Sequence, residues 1–565
     1  MNAQLRGDLV DRLDQLAETE PDRLLVVELM DGVEETGTLT AASLRARAQL
    51  VSAALAERGI GAGDVVLLIA TSPVECLVGL FGCLRSGVIA APVAFPRRPE
   101  HLASRLEPVR NNAGAVAVLA GSPQDDSERE VLELLSKGEI PVLRTDLPEP
   151  AGGLPMAAPA VVRDIAYLQY TSGSTSEPKG VIVTHDNLLA NIDSSAVALG
   201  FDDETVIVNW APLTHDMGMV LGALPAVGCG VLVVVMPPTA FVRHPLSWLR
   251  AIERYHGTIG YSPNFGYDLL VERTTAEDRA ALDLSCMRNW FNGAEPVRLR
   301  TRDRFLATFA ACGVGPLGWR PAWGLAESTA LVTTTPLDDP GPIVWVDVAA
   351  LEDHRVVVVP DGSPGARPVC ADGALLEGYE VLIVDPERVV PVLHDRVGEV
   401  WVRGPSVSPG YWNRPEATAE TFAATVPGDA RRWLRTGDLA FMHDGQVVVC
   451  GRLKDLIVID GRNLHPQDIE LVADLSHDGV RGGGVAAFAI DTEDGEAIVV
   501  LVEVQDPDDD VVGADVRSTV RRAVLREFEV RVADVVLVGP RGVPKTSSGK
   551  VQRAASREIY DRHRS

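Results

Sequence analysis

The sequence has no paired cysteines: Cys76, Cys83, Cys229, Cys286, Cys312, Cys370 and Cys450 are scattered, odd in number and never in a C-x-x-C spacing. That argues against a disulfide framework or a zinc knuckle and suggests a reducing compartment, with each thiol a small core residue. Basic charge is also short. Fifty-two Lys and Arg face 79 Asp and Glu, and the net charge of −27 opposes nonspecific contact with nucleic acid or anionic membranes, so no nucleic-acid partner is expected. Long apolar runs are missing as well: the longest, around 226–236, is too short for a membrane span and stops at Pro237-Pro238. The first 18 residues alternate charged and apolar positions at helical spacing and lack the apolar stretch of an export signal. A cytoplasmic protein without integral membrane association is expected. Aromatic residues are scarce at 5%, which by itself excludes nothing.

What remains is ordinary globular composition, 46% hydrophobic and 23% charged, in a chain of 565 residues, longer than one hydrophobic core usually organises. Between 23 and 120, strand-like runs (RLLVVELM, DVVLLIA, VIAAPV, AVAVLA) alternate with helical periods, and the rhythm resumes between 181 and 330. This predicts an α/β fold of helix-covered, largely parallel sheets. From about 373 to 451 the texture becomes short β runs between Gly, Pro and Asp turns, a β-rich subdomain. After Gly451 a compact α+β unit follows, so the expected division is 1–451 and 452–565, with no repeat or low-complexity linker at the joint.

The strongest local signal is YLQYTSGSTSEPKGVIVTH at 167–185, a polar Gly-rich loop between two β-like runs. It is not a Walker loop, because Lys179 is followed by Gly180 and a strand. Thr171, Ser172, Ser174 and Thr175 supply hydroxyls, Gly173 permits close backbone approach, and Lys179 adds a cation, so the loop can wrap a polyphosphate. A plain solvent loop is the competing explanation for a generic Ser/Gly run.

This loop closely resembles the phosphate-binding loop of the adenylate-forming superfamily, which includes acyl-CoA synthetases, nonribosomal adenylation domains and luciferases. WGLAES (323–328) resembles the aromatic-Gly-x-x-Glu motif, LRTGDLA (434–440) the ribose motif, GRLKDLIVIDGRNLHPQDIE (451–470) the hinge, and PKTSSGK (544–550) the catalytic-lysine loop, all in the expected order.

The resemblance implies ATP and Mg2+ as cofactors. Lys550 would bridge carboxylate and phosphate, and Glu327 would hold Mg2+. Trp323, followed by Gly324, would present a flat face to adenine, with Gly293, Ala294 and Glu295 of FNGAEP on its other side. The superfamily usually has Tyr where this chain has Trp323, so a contact made by that hydroxyl is not expected here, and a core tryptophan is the alternative. Asp438 would accept both ribose hydroxyls, Arg452 would reinforce the nucleotide contact, and Lys454 would mark the hinge of a mobile 452–565 domain.

WAPLTHDMGMVLGALPAVGCG (210–230) and the segment from Phe241 to Leu270 resemble the fatty acyl-AMP ligases in particular, with His215, Asp216, Met217 and Gly218, then Asn264 and Phe265, as acyl-substrate residues and His215 also as a catalytic one. Met219, Leu221, Gly222 and Gly228 are expected to join Met217 and Gly218 in an apolar tunnel. His215 as a turn cap and Asn264 as a helix terminator are the plain alternatives. A stretch at about 336–372, with the β-like core HRVVVVP, resembles the insertion associated in these ligases with loss of CoA as acceptor. The resemblance implies acyl-AMP formation from a medium or long fatty acid, then transfer to the phosphopantetheine thiol of a separate acyl carrier protein. An acyl-CoA synthetase, or an activator of a short functionalised or amino acid, is the alternative. Arg517, Arg521, Arg522 and Arg526, with the basic tail from Arg541 to Ser565, are expected to face an acidic carrier, a solvated helix being the plainer reading.

Overall fold

The computed structural model describes residues 5–70, 72–95, 102, 106–123, 125–138, 140–148, 164–171, 178–459, 462–492, 495–546 and 549–564. Two large sheets carry most of it. The first contains Val65–Ile69, Ile89–Pro92, Ala117–Ala120 and Val142–Arg144 in parallel, extended by Ile165–Thr171 and, antiparallel to that strand, Lys179–Thr184. Val65–Ile69 is apolar throughout and buried at every position, as a strand covered on both faces must be. The helix Pro73–Ser86 follows it, started by a Ser72 side chain that accepts from the Glu75 N–H and stopped at left-handed Gly87.

The second sheet has 15 strands among the described residues. Its parallel part runs from Trp319–Gly324 through Asn289–Asn292, Ile259–Ser262, Val206–Asn209 and Leu232–Val235 to Leu24–Glu28. Leu331–Thr334 then pairs antiparallel with both Trp319–Gly324 and Ala374–Leu375, and the sheet continues into Gln446–Arg452, Asp429–His443, Gly398–Arg403 and Glu380–Asp385. The β-rich region thus grows from the edge of the parallel sheet, and this continuity sets Asp438 beside Trp323.

Beyond Arg452 come the hairpin Ile457–Ile459 with Arg462–Leu464, the sheet of Val480–Thr492, Gly495–Val504 and Val532–Val538, and helices Pro466–Asp474, Asp510–Phe528 and Arg553–Arg564. Val516, Val520, Val524 and Phe528, four residues apart, form the buried stripe of the second helix.

The stretch 336–372 departs from expectation. Its strands are Ile343–Asp347 and Ala366–Cys370, paired antiparallel around the helix Val348–Glu352. HRVVVVP makes only single bridges, Val346 to Val358 and Arg355 to Arg396, and Val357 and Val358 stay exposed. β-Branched composition alone does not make a strand without a neighbour to complete the ladder.

All seven cysteines are free and all but Cys286 are buried. Burial pushes the thiols of Cys76, Cys83, Cys229, Cys370 and Cys450 up to about 12, consistent with small core residues. Among the described residues no helix is long and apolar enough to cross a membrane.

Candidate active site

Ser172, Gly173, Ser174 and Thr175 lie outside the described residues, but both flanks of their loop are placed. Thr171 pairs with Lys179 where the two strands end. The turn at 410–412 locks onto the second strand: the Ile182 N–H donates to the Gly410 carbonyl at 3.0 Å, and the Trp412 N–H to the Gly180 carbonyl at 2.7 Å. This brings Tyr411 under Lys179, whose ammonium lies 4.9 Å from the ring centroid, a cation–π distance. The Tyr411 hydroxyl donates to Glu327 Oε1 at 2.7 Å. Burial first, and then the charge of Glu327, push that phenol well above its ordinary range, so it remains a donor. The sequence reading missed Tyr411; its signal was an aromatic framed by Pro, Gly and a second Pro in SPGYWNRP.

Glu327 sits in the short turn Ala326–Ser328, followed by Thr329 at φ 68. Positive φ at a β-branched residue costs on the order of 1–3 kcal/mol and needs local support. The Thr329 hydroxyl supplies some by donating to the Ser406 carbonyl at 2.8 Å, and fully buried Asn191 donates to the Leu331 carbonyl at 2.8 Å and to Ser406 Oγ at 3.0 Å.

On the nucleotide side, a Cβ at Gly293 would lie 2.8 Å from the Ala322 carbonyl, and Ala294 takes φ 70, so the strip runs flush against the neighbouring strand. Glu295 Oε1 accepts the Asn264 N–H at 2.9 Å. A Cβ at Gly324 would overlap the Ala330 carbonyl, so only glycine fits that turn. Asp438, expected to offer both oxygens to ribose, already accepts the Trp323 indole N–H at 2.9 Å on Oδ2 and the Arg452 Nε–H at 2.9 Å on Oδ1. Trp323 is 7% exposed and Asp438 5%. The Arg452 guanidinium is held above its ordinary value, first by the charge of Asp438.

On the acid side, Met217–Leu221 is a π-helical turn, an irregularity common at functional sites. His215 Nδ1 lies 2.7 Å from Asp216 Oδ1, which also accepts the Met217 N–H at 2.6 Å. Burial would raise the Asp216 carboxyl, but the charges of His215 and Lys550 and the Met217 N–H outweigh it and hold the group below its usual range. The glycines expected to line a tunnel are instead close-packing points: a Cβ at Gly218 would overlap the Pro212 carbonyl, at Gly222 the Asn209 amide, and at Gly228 would come 2.8 Å from Ile192. Asn264 starts a helix rather than ending one. Its amide donates to the Pro296 carbonyl at 2.9 Å and accepts the Arg298 N–H at 3.1 Å, so it orients the Gly293–Glu295 strip. Phe265 meets Trp210 edge-on at 5.5 Å.

The loop from 452–565 closes over this arrangement. The Lys550 N–H donates to Thr546 Oγ1 at 3.1 Å, the Thr546 N–H to the Lys550 carbonyl at 2.8 Å, and Gly549 takes φ 85. A Cβ at Gly549 would overlap the Phe265 ring. Burial first, and then Arg452, lower the Lys550 ammonium, while Asp216, Glu295 and Asp438 oppose them. One cation therefore lies within electrostatic reach of both the acid side and the nucleotide side. Lys454 is lowered by partial burial and by Arg452 beside it. The closed arrangement is pinned by Arg462 on Glu352 at 2.7 and 2.9 Å, Asn463 on the Glu352 carbonyl at 2.8 Å, Gln467 on the Cys450 carbonyl at 2.8 Å, and an Arg367–Asp468 ion pair. Arg553 of the basic tail is not a solvated charge, because it pairs with Asp455 at 2.9 Å and Glu470 at 2.8 Å. Grooves of about 410 and 430 Å3 open beside Val197 and Leu317, and none of their lining residues belongs to the constellation above.

Residues 13–412 match the AMP-binding enzyme family. The chain is 37% identical over 558 residues to the medium-chain-fatty-acid acyl-carrier-protein ligase JamA of Moorena producens, covering 97% of this chain and 94% of that protein. It is 35% identical over 545 residues to the long-chain-fatty-acid AMP ligase FadD26 of Mycobacterium marinum, covering 93% and 91%. Among solved structures it resembles the fatty acid AMP ligase from Legionella pneumophila, with a TM-score of 0.76, 35% identity, and coverage of 98% and 96%.

Proposed function

The chain belongs to the AMP-binding enzyme family, and on that premise we propose that it joins a fatty or related carboxylic acid to AMP at the expense of ATP. Pyrophosphate leaves, and the acyl group passes to the phosphopantetheine thiol of a separate acyl carrier protein. The observation that carries this reading is the seating of the Lys550 loop, where Gly549 packs on Phe265 next to the Asn264–Glu295 hydrogen bond, with the charges of Asp216, Glu295 and Asp438 all acting on the Lys550 ammonium.

In the first step a substrate carboxylate oxygen attacks the α-phosphorus and the bond to pyrophosphate breaks. Negative charge accumulates on all three groups, and the step needs fixed cations aimed at it. Lys550 would bridge the carboxylate and the phosphate as this charge builds up. Lys179 rests on Tyr411 at the phosphate-loop side. Glu327, anchored through one oxygen by Tyr411, is a hard donor suited to Mg2+. Among the described residues no group of three His, Cys, Asp or Glu would hold a metal alone, which fits an ion carried largely by substrate phosphates. When bound, Mg2+ would screen the triphosphate charge.

In the second step 452–565 turns about Lys454, withdraws Lys550 and admits a thiol, whose sulfur attacks the acyl carbonyl; the C–O bond to the phosphate breaks, AMP leaves, and the thiol proton passes to solvent. A carrier rather than CoA as acceptor is supported by the name of one relative, JamA, and by the contacts of 336–372, whose Glu352 and Arg367 hold 452–565 through Arg462 and Asp468. Arg521, Arg522 and Arg526 lie exposed on the helix Asp510–Phe528, with half-buried Arg517 one turn before them, a face suited to an acidic carrier. A reaction that draws on ATP and a carrier suits the cytoplasm. The test is incubation with ATP, Mg2+, a panel of acids and either CoA or a phosphopantetheinylated carrier, with products identified by mass. Acyl-carrier without acyl-CoA supports the reading; acyl-CoA in quantity moves it to the synthetases.

A further inference from the structure

We infer that Trp323 is a positioning residue for the ribose of ATP: its indole N–H sets the orientation of the Asp438 carboxylate and so makes the site select a nucleotide bearing both ribose hydroxyls. The inference rests on the nucleotide reading above and deepens it.

Asp438 is gripped from two directions. The Trp323 indole, on the last strand of the parallel sheet, donates to Oδ2 at 2.9 Å, and the Arg452 guanidinium, directly across the antiparallel ladder, donates to Oδ1 at 2.9 Å. A carboxylate oxygen accepts two hydrogen bonds, so each oxygen keeps one site for a ribose hydroxyl. With a different donor fixed on each oxygen, the carboxylate cannot rotate without losing one of them. The remaining acceptor sites are then aimed before the nucleotide arrives.

Burial gives this arrangement its selectivity. Asp438 is 5% exposed and Trp323 7%. A nucleotide lacking one hydroxyl would leave a desolvated acceptor site without a donor and with little water to replace it, which is how a polar site rejects an analogue that lacks a polar group. The deep seating of the ring also separates this role from base stacking. Stacking alone would treat ribo- and deoxyribonucleotides alike; a donor acting through Asp438 would not.

Phe at this position keeps an aromatic face but has no donor. In Trp323→Phe the carboxylate gains rotational freedom, KM for ATP should rise more than kcat falls, and the preference for ATP over 2′-deoxy-ATP, measured as a ratio of kcat/KM, should fall about tenfold. Calorimetric binding of AMP against 2′-deoxy-AMP provides the same ratio without turnover, so it reads this inference even if no acid tried is a substrate. The control is a double-mutant cycle: in an Asp438→Asn background, Trp323→Phe should leave the ratio unchanged within about twofold. If Trp323→Phe binds both nucleotides more weakly by the same factor, Trp323 acts on the base or on the fold and the inference fails. Should the variant not fold, Trp323→Leu, which likewise has no donor, is tested for the same change in ratio, and an unchanged ratio there overturns the inference too. Failure of every acid to release pyrophosphate, with the ribose ratio intact, would count against the proposed reaction and not against this role.

Discussion

Gly549 lies so close to Phe265 that a Cβ on the glycine would overlap the ring. The contact joins the loop carrying Lys550 to the helix that begins beside Glu295, and Gly549 also takes φ 85, a conformation that favours glycine. Position 549 therefore gauges how the Lys550 loop seats on this helix: any side chain there would meet the Phe265 ring.

Gly549→Ala should lower the rate of adenylate formation by at least about a hundredfold, because the φ penalty and the clash both fall on the closed state, and about 2.7 kcal/mol suffices for that factor. Transfer from a supplied acyl-adenylate, which needs the loop withdrawn, should fall far less. Pre-steady-state assays of the two half-reactions measure this; equal losses in both would contradict it.

Tyr411→Phe removes the hydroxyl that anchors Glu327 Oε1 but leaves the ring under Lys179. A lost hydrogen bond to a charged group costs roughly 1.5–3 kcal/mol. The expected result is a tenfold or greater loss of kcat/KM for ATP with a raised Mg2+ requirement, read by titrating Mg2+ at fixed ATP. An unchanged Mg2+ dependence would place Tyr411 outside the phosphate site.

Glu352 tethers Arg462 across the closed arrangement, its side chain 9% exposed. Glu352→Gln leaves a neutral acceptor against that guanidinium, a change expected to weaken closure by roughly 1–3 kcal/mol. Adenylate formation should slow while transfer from supplied acyl-adenylate holds or quickens. Slowing of both steps together would refute a role in closure.

Asp372 is buried, with its carboxyl pushed up to about 7 by burial first and by the charge of Asp438, against the Val449 N–H that donates to it at 2.8 Å. Between the ordinary carboxylate value near 3.9 and about 7, the folded state holds a proton that the unfolded chain releases, so this contribution to stability falls as pH rises. Asp372→Asn should match the natural chain below about pH 3.5 and exceed it above pH 7 by roughly 2–4 kcal/mol, seen as a Tm gain that grows with pH. A gap independent of pH would contradict the raised carboxyl.

Much of this was legible in the sequence because it depended on local pattern. DVVLLIA reads as a fully buried strand and is one, and the order of loop, WGLAES, TGD and PKTSSGK anticipates a constellation that the fold assembles from segments more than a hundred residues apart. What stayed hidden depends on long-range pairing. Tyr411 reaches Glu327 only because the 410–412 turn hydrogen-bonds to a strand of the other sheet, 230 residues earlier in the chain. Gly218 and Gly222 looked like room for an acyl chain, yet each is required by a neighbouring residue at close approach. HRVVVVP has strand composition but meets Ile343–Asp347 through a single bridge and forms no extended ladder. For Trp323 the residue type was noted, but its Asp438 partner lies 115 positions away and no spacing rule reaches that far.

The most direct measurement is pyrophosphate release from ATP and Mg2+ by the intact protein and by its Lys550→Ala variant across a panel of acids, run beside acyl transfer from a supplied acyl-adenylate. A mobile lysine that neutralises charge in the first step predicts acid-dependent release by the natural chain, its loss by several hundredfold or more in the variant, and transfer largely retained. Release that needs no acid, or that survives removal of Lys550, would contradict it.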